Sequence, residues 1–203
     1  GRVGPGVCIR LYSDEDFQQR APFSTPEILR SSLAGVILRM KALRLQEVER
    51  FPFVEAPSGR AIADGYQLLQ ELGAMDDNQQ LTKIGRDLAR LPVDPRIARM
   101  ILAAQQQNCL YEMLIIASAL SVQDPRERPL ERRDEAERAH QLFIDPQSEF
   151  LSYVKMWEWY GEQVKSRLSQ RKLTRVLRER FLSPMRFREW REVHKQLATL
   201  VRE

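Results

Sequence analysis

Leu72-Gly73-Ala74-Met75-Asp76-Asp77-Asn78-Gln79-Gln80-Leu81-Thr82 is the stretch on which the fold turns. Gly73 is placed to end a helix that carries Ile62, Tyr66, Leu69 and Leu72 at three- and four-residue steps. Asp76 to Gln80 is a polar turn between Ala74-Met75 and Leu81-Thr82, the pattern of a short hairpin. Thr82 can cap a further helix bearing Ile84 and Leu88. Upstream, Phe51-Pro52-Phe53-Val54 and Pro57-Ser58-Gly59 break the chain. Before that break, Ser24-Thr25-Pro26-Glu27 is a capping box with proline in the first turn. Ile28, Leu29, Leu33, Val36, Ile37, Met40 and Leu43 follow it on one helical face. Two or three helices plus a small hairpin, within about 65 residues, outline a winged helix.

Leu91-Pro92-Val93-Asp94-Pro95 is the clearest internal boundary, with Asp94 as cap and Pro95 at the first position of the next helix. That helix presents Ile97, Met100, Ile101 and Ala104. Cys109 to Leu120 is apolar on nearly every side, so its helix should sit at the centre of a second bundle. Gln123 to Pro129 is a polar loop, and helices are expected over 131–143, 148–165, 169–181 and 184–202. At the other end, Val7, Ile9 and Leu11 alternate with Cys8, Arg10 and Tyr12 after Gly4-Pro5-Gly6, a short strand signature with no second strand nearby. The expected fold is mainly α: a winged helix, then a helical bundle, with a short orphan strand at the N-terminus.

The 203 residues carry 32 Lys+Arg against 28 Asp+Glu, a net +4. The charge is unevenly placed. Lys165 to Glu203 holds 12 Lys/Arg and 4 Asp/Glu, net +8, whereas Gly1 to Val164 holds 20 and 24, net −4. An acidic body with a basic tail points to a polyanionic partner or an acidic neighbouring domain. With 43% hydrophobic residues, regularly spaced, disorder is excluded. Cys8 and Cys109 have neither disulfide-framework nor metal-ligand spacing, and His140 and His194 lack a ligand cluster, so no metal site is expected. Met113 to Leu120, the longest apolar run, is too short to span a bilayer, and no signal peptide opens the chain. A cytoplasmic location is expected. The start at Gly1-Arg2 without methionine predicts a piece of a longer protein.

Gly1-Arg2, then Pro5-Gly6-Val7-Cys8-Ile9-Arg10-Leu11-Tyr12, resembles the end of motif VI and the next strand of DEAH-box RNA helicases. The resemblance continues in order through Thr25-Pro26-Glu27-Ile28-Leu29-Arg30, Leu72-Gly73-Ala74-Met75, Leu81-Thr82-x-x-Gly85 and Leu91-Pro92-Val93-Asp94-Pro95-Arg96. It then reaches Leu120-Ser121-Val122-Gln123-Asp124-Pro125-Arg126-Glu127-Arg128-Pro129, and the Ser121 to Pro129 wording together with Arg188-Glu189-Trp190 looks most like the bacterial HrpA-type members. The resemblance implies three parts: residues 1–23 as the end of the second RecA-like domain, 24–92 as the winged helix, and 93–203 as a ratchet-like bundle. It implies RecA-like motor domains and an OB-fold domain as partners in the same chain, and ATP and Mg2+ as cofactors of the parent protein. This stretch has neither a G-x-x-x-x-G-K-[ST] loop nor a DEAH sequence, so by itself it should bind no cofactor and hydrolyse no ATP.

Candidate residues follow. Arg2 matches the last arginine of motif VI, which in the family reaches the γ-phosphate, a catalytic role restricted to the whole protein. Ser148 and Glu149 stand where the family has a Ser/Gly-Asp pair facing the RNA channel, and Lys155 lies further along the same helix. Arg171, Arg175 and Arg178 share a helix face by four- and three-residue steps. Met185 replaces an arginine common in the family, and Arg186 or Arg188 can substitute. Tyr153, Trp157, Trp159 and Tyr160 could stack on bases, but Tyr153, Trp157 and Tyr160 step by four and three, which is ordinary core spacing. No carboxylate pair or nucleophile constellation is visible.

Three functions are compatible with these residues. In the first, a monomeric helicase accessory region lines a single-stranded RNA channel and couples the motor to RNA movement. In the second, a non-catalytic module docks neighbouring domains or a protein partner. The third is a winged-helix DNA-binding regulator. It is disfavoured because the helix at 60–72 carries Asp64 and Glu71 and only one basic residue, Arg60.

Overall fold

A computed structural model describes residues 4, 6–7, 9–20, 32–166 and 168–201. The Ser24 capping box, Arg2 and Arg167 lie outside them. The expected N-terminal strand does not form among the described residues. Val7, Ile9 and Leu11 are 94, 80 and 95% exposed and pair with no other described residue. The physical reason is the missing ladder: a strand without a neighbour leaves its backbone groups to water. A short helix, α1 (Asp14–Gln19), follows on the outside, capped by the Ser13 hydroxyl.

The winged-helix part contains α2 (Ala34–Ala42), α3 (Gly59–Glu71) and α4 (Lys83–Ala89). Leu33, Ile37 and Met40 of the first face are buried, whereas Leu43 is 71% exposed because α2 stops at Ala42. Ile62, Tyr66 and Leu69 are buried on α3 as expected. Gly73 ends α3 with φ +69°: its N–H donates to the Gln70 carbonyl and the Ala74 N–H to Leu69. That left-handed slot favours a residue without a Cβ. The hairpin is reduced to one antiparallel bridge, Met75 with Leu81. The Asp76 carboxylate closes its turn by accepting from the Asn78 and Gln80 N–H groups at 3.0 and 2.8 Å. Thr82 caps α4, its hydroxyl accepting from the Gly85 N–H at 3.0 Å. Gly85 packs so closely that a Cβ would run into the Ala74 carbonyl.

Asp94 and Pro95 open α5 (Pro95–Gln106) as expected, with the Arg96 N–H donating to the carboxylate at 2.8 Å. Next come α6 (Leu110–Leu120), α7 (Arg133–His140), α8 (Glu149–Lys165), α9 (Gln170–Glu179) and α10 (Pro184–Leu200). The expected helix at 131–143 is broken into α7 and two flanking 3-10 turns, Leu130–Arg132 and Gln141–Phe143.

Helix α6 is central. Its Leu114 and Ala117 belong to a core shared with α2 to α5, and its Ile115, Ile116 and Ala119 belong to a second core with α8, α9 and α10. Helix α10 also serves both, through Leu197 on one side and Phe187 and Trp190 on the other. Each large side chain fully buried here contributes about 1.5–3 kcal/mol. The Trp190 indole N–H donates to the Ile115 carbonyl at 3.1 Å and the Ser118 hydroxyl at 2.9 Å, which satisfies the one polar atom of a buried ring. The aromatics of α8 pack inward too: Trp157 and Tyr153 lie 5.1 and 6.1 Å from Trp190, and Tyr160 stacks on Phe187 at 4.9 Å.

Candidate nucleic-acid interface

Helix α9 is amphipathic by sequence, and the structure places each face accordingly. Leu173 and Leu177 are buried in the second core. Arg171, Arg175 and Arg178 are exposed. They line one open concavity of about 760 Å3 with Arg132, Gln170, Thr174, Glu179 and Phe181. Four guanidinium groups therefore face one space that, among the described residues, holds a single carboxylate. That carboxylate, Glu179, pairs with Arg175 Nε at 3.0 Å. Arg132 pairs with Glu135 at 2.7 Å and lies over the Phe181 ring, 4.7 Å from its centroid. Arginine forks in such an arrangement match the oxygens of a phosphate.

The far end of α9 is firmly held. Phe181 adopts φ +53°, the Leu182 N–H donates to Leu177 and the Phe181 N–H to Arg178. The Phe181 carbonyl accepts from the Glu127 N–H at 2.8 Å and from His140 Nε2 at 3.1 Å. The Ser183 N–H donates to Pro125, so Arg126 and Leu182 form an antiparallel bridge. Loop 123–129 thus sets the angle at which α9 presents its arginines. Inside that loop Arg126 forks onto Asp124 at 2.8 and 3.0 Å. Burial pushes the Asp124 carboxyl up, but the bonds and charge of Arg126 outweigh it and hold the group below its ordinary range.

The other candidates are placed differently. Arg186 is half-buried and donates to the Asp124 carbonyl at 3.0 Å, so it braces the loop. Arg188 is exposed on α10. Ser148 precedes α8 without capping it, and Glu149 is exposed at its first turn. Lys155 is committed internally: its ammonium pairs with Asp145 at 2.9 Å and donates to the Ile144 carbonyl at 3.1 Å. Asp145 also accepts from the Gln147 and Ser148 N–H groups, and the Lys155 bond with these two lowers its pKa. None of these residues lines the α9 concavity.

Residues 66–93 match the winged-helix part, and residues 94–198 the ratchet-like part, of the helicase-associated domain HA2. The chain belongs to that helicase-associated family. It is 50% identical over its whole length to the ATP-dependent RNA helicase HrpA of Escherichia coli, and 49% identical to the HrpA homolog of Haemophilus influenzae. It is 33% identical, again over its whole length, to the probable ATP-dependent RNA helicase DHX34 of Homo sapiens. The chain spans 16% of the length of either bacterial relative and 18% of the human one.

For this helicase-associated chain, sequence spacing was enough to group Arg171, Arg175 and Arg178. It missed Arg132 and Phe181. Arg132 sits in a 3-10 turn with no periodicity to mark it, and Phe181 occupies a helix-ending slot where glycine would have been the readable signal.

Proposed function

We propose that this chain is the accessory region of a DEAH-box RNA helicase and that its α9 concavity holds the phosphates of single-stranded RNA. Four guanidinium groups around one open space, Arg132, Arg171, Arg175 and Arg178, carry this reading. Backbone phosphates are alike in every sequence, so contacts of this kind grip RNA without sequence preference and weaken with salt. In this reading RecA-like motor domains elsewhere in the same protein move RNA past the bundle, an OB-fold domain lies nearby, the protein works as a monomer in the cytoplasm, and Arg2 serves the motor. ATP and Mg2+ belong to those motor domains. Among the described residues no group of His, Cys, Asp and Glu could hold a metal ion. No described helix is long and apolar enough to cross a membrane.

Anisotropy of a labelled single-stranded RNA over a salt series tests the proposal. Binding should be salt-dependent and should drop with Arg171→Glu and Arg175→Glu. Absence of binding at low salt, or indifference to both substitutions, would refute it and favour a docking role for the same surface.

A further inference from the structure

A second basic concavity, of about 540 Å3, lies in the winged-helix part, where the C-terminal ends of α2 and α4 come together. Lys41, Arg44, Arg86 and Arg90 line it with Gln80 and Leu81, and no carboxylate among the described residues does. It shares no residue with the α9 concavity. Its cations are not all balanced. Lys41 pairs with Glu47 at 2.7 Å. Each helix end brings roughly half a negative charge, which accounts for part of the remainder. Among the described residues a surplus of about two positive charges is left. Among the described residues neither Arg44 nor Arg90 has an ion-pair partner. Arg86 is aimed by the bond from its Nη1 to the Leu81 carbonyl at 2.8 Å.

Arg44 adds a second, independent observation. It ends α2 with φ +54°; its N–H donates to Lys41 and the Leu45 N–H to Met40. Gly73 and Asn108 fill the same left-handed slot after α3 and α5, as the backbone prefers. An arginine there is strained, and Phe181 is strained in the same way at the rim of the α9 concavity. Local strain of this kind gathers at ligand-binding positions. The apolar side chains lining the space, Ala42, Leu81 and Ala89, offer no deep pocket for a protein anchor, whereas three guanidinium forks suit phosphate oxygens.

We infer that Arg44, Arg86 and Arg90 form a second contact for the phosphodiester backbone of RNA, independent of α9. The test uses the whole 203-residue chain, a labelled single-stranded oligouridine and a salt series, with Arg44→Gly, Arg90→Gln and the double variant. The double variant should lower the slope of log affinity against log salt by about 1.4, since each single-strand phosphate contact adds about 0.7. Arg44→Gly should also raise the thermal midpoint by a few degrees, because glycine relieves the left-handed backbone. Weaker binding by a more stable protein cannot come from misfolding. An unchanged slope in the double variant overturns the inference. If Arg171→Gln/Arg175→Gln then weakens binding, only the α9 proposal survives. If instead the α9 variant is silent and the double variant loses slope, this inference stands and the α9 proposal falls. Loss of a labelled oligoglutamate from the double variant, with RNA binding intact, would assign the concavity to an acidic protein segment and overturn it too.

Discussion

Glu179→Gln should make the protein bind RNA more tightly. Glu179 is the one carboxylate among the described residues lining the α9 concavity, and it holds Arg175 at 3.0 Å. The two side chains are 80 and 60% exposed, so the pair contributes no more than a few tenths of a kcal/mol to stability. Removing a negative charge from the last turn of α9 also relieves its repulsion with the helix C-terminus, which is worth a similar amount with opposite sign. Stability should therefore stay nearly constant. Binding should not. Freeing Arg175 for phosphate adds up to about 0.7 to the salt slope, which between 1 M and 50 mM salt corresponds to about eightfold in affinity. Anisotropy titrations with single-stranded RNA at several salt concentrations read both numbers, and a urea melt checks the fold. Equal or weaker binding by Glu179→Gln, with the same slope and an unchanged melt, would refute phosphate binding by Arg175.

Trp190→Phe should destabilise the protein by about 2–3 kcal/mol in denaturant unfolding, since it removes two buried hydrogen bonds and opens a gap between α6 and α10. A loss below about 1 kcal/mol would mean that α6 and α10 are not locked together through this ring. Stability should also fall as pH drops from 7.5 to 5.5. Burial lowers the pKa of both His140 and His194 below the ordinary 6.5, with nearby Arg128 and Arg126 adding to the effect at His140. Each then contributes stability that is fully present above the unfolded value, near 6.5, and is lost progressively below it as the unfolded state takes up protons first. The geometry agrees. His140 Nε2 donates to the Phe181 carbonyl, while its Nδ1 is buried with no partner among the described residues, so a second proton placed there would gain no acceptor. Replacing both histidines by glutamine should flatten urea midpoints across that range. A persistent slope would assign the effect to other groups.

Most of the helices were legible because their signals are local. Gly73, Thr82, Asp94 and Pro95 act on backbone groups two to four residues away, so a reader of the chain sees both partners at once. The apolar steps on α3 and the all-round apolar character of Cys109 to Leu120 are likewise written along the chain. The strand expected at Val7 to Leu11 is not confirmed, for the converse reason: alternation records a preference, and pairing needs a neighbour that the described residues do not supply.

By itself the sequence determined the helical class, the position of the α3 to α4 turn, the family, and the face on which Arg171, Arg175 and Arg178 stand. Only the tertiary structure decided which cations are available. It turned Lys155 onto Asp145 and Arg186 onto the Asp124 carbonyl, and it brought Arg132 across to α9 and Lys41 and Arg44 across to Arg86 and Arg90. It also made α6 the shared wall of two cores. These outcomes join residues far apart in the chain, and whether a charge faces solvent, a carboxylate or an open concavity depends on what folding packs beside it.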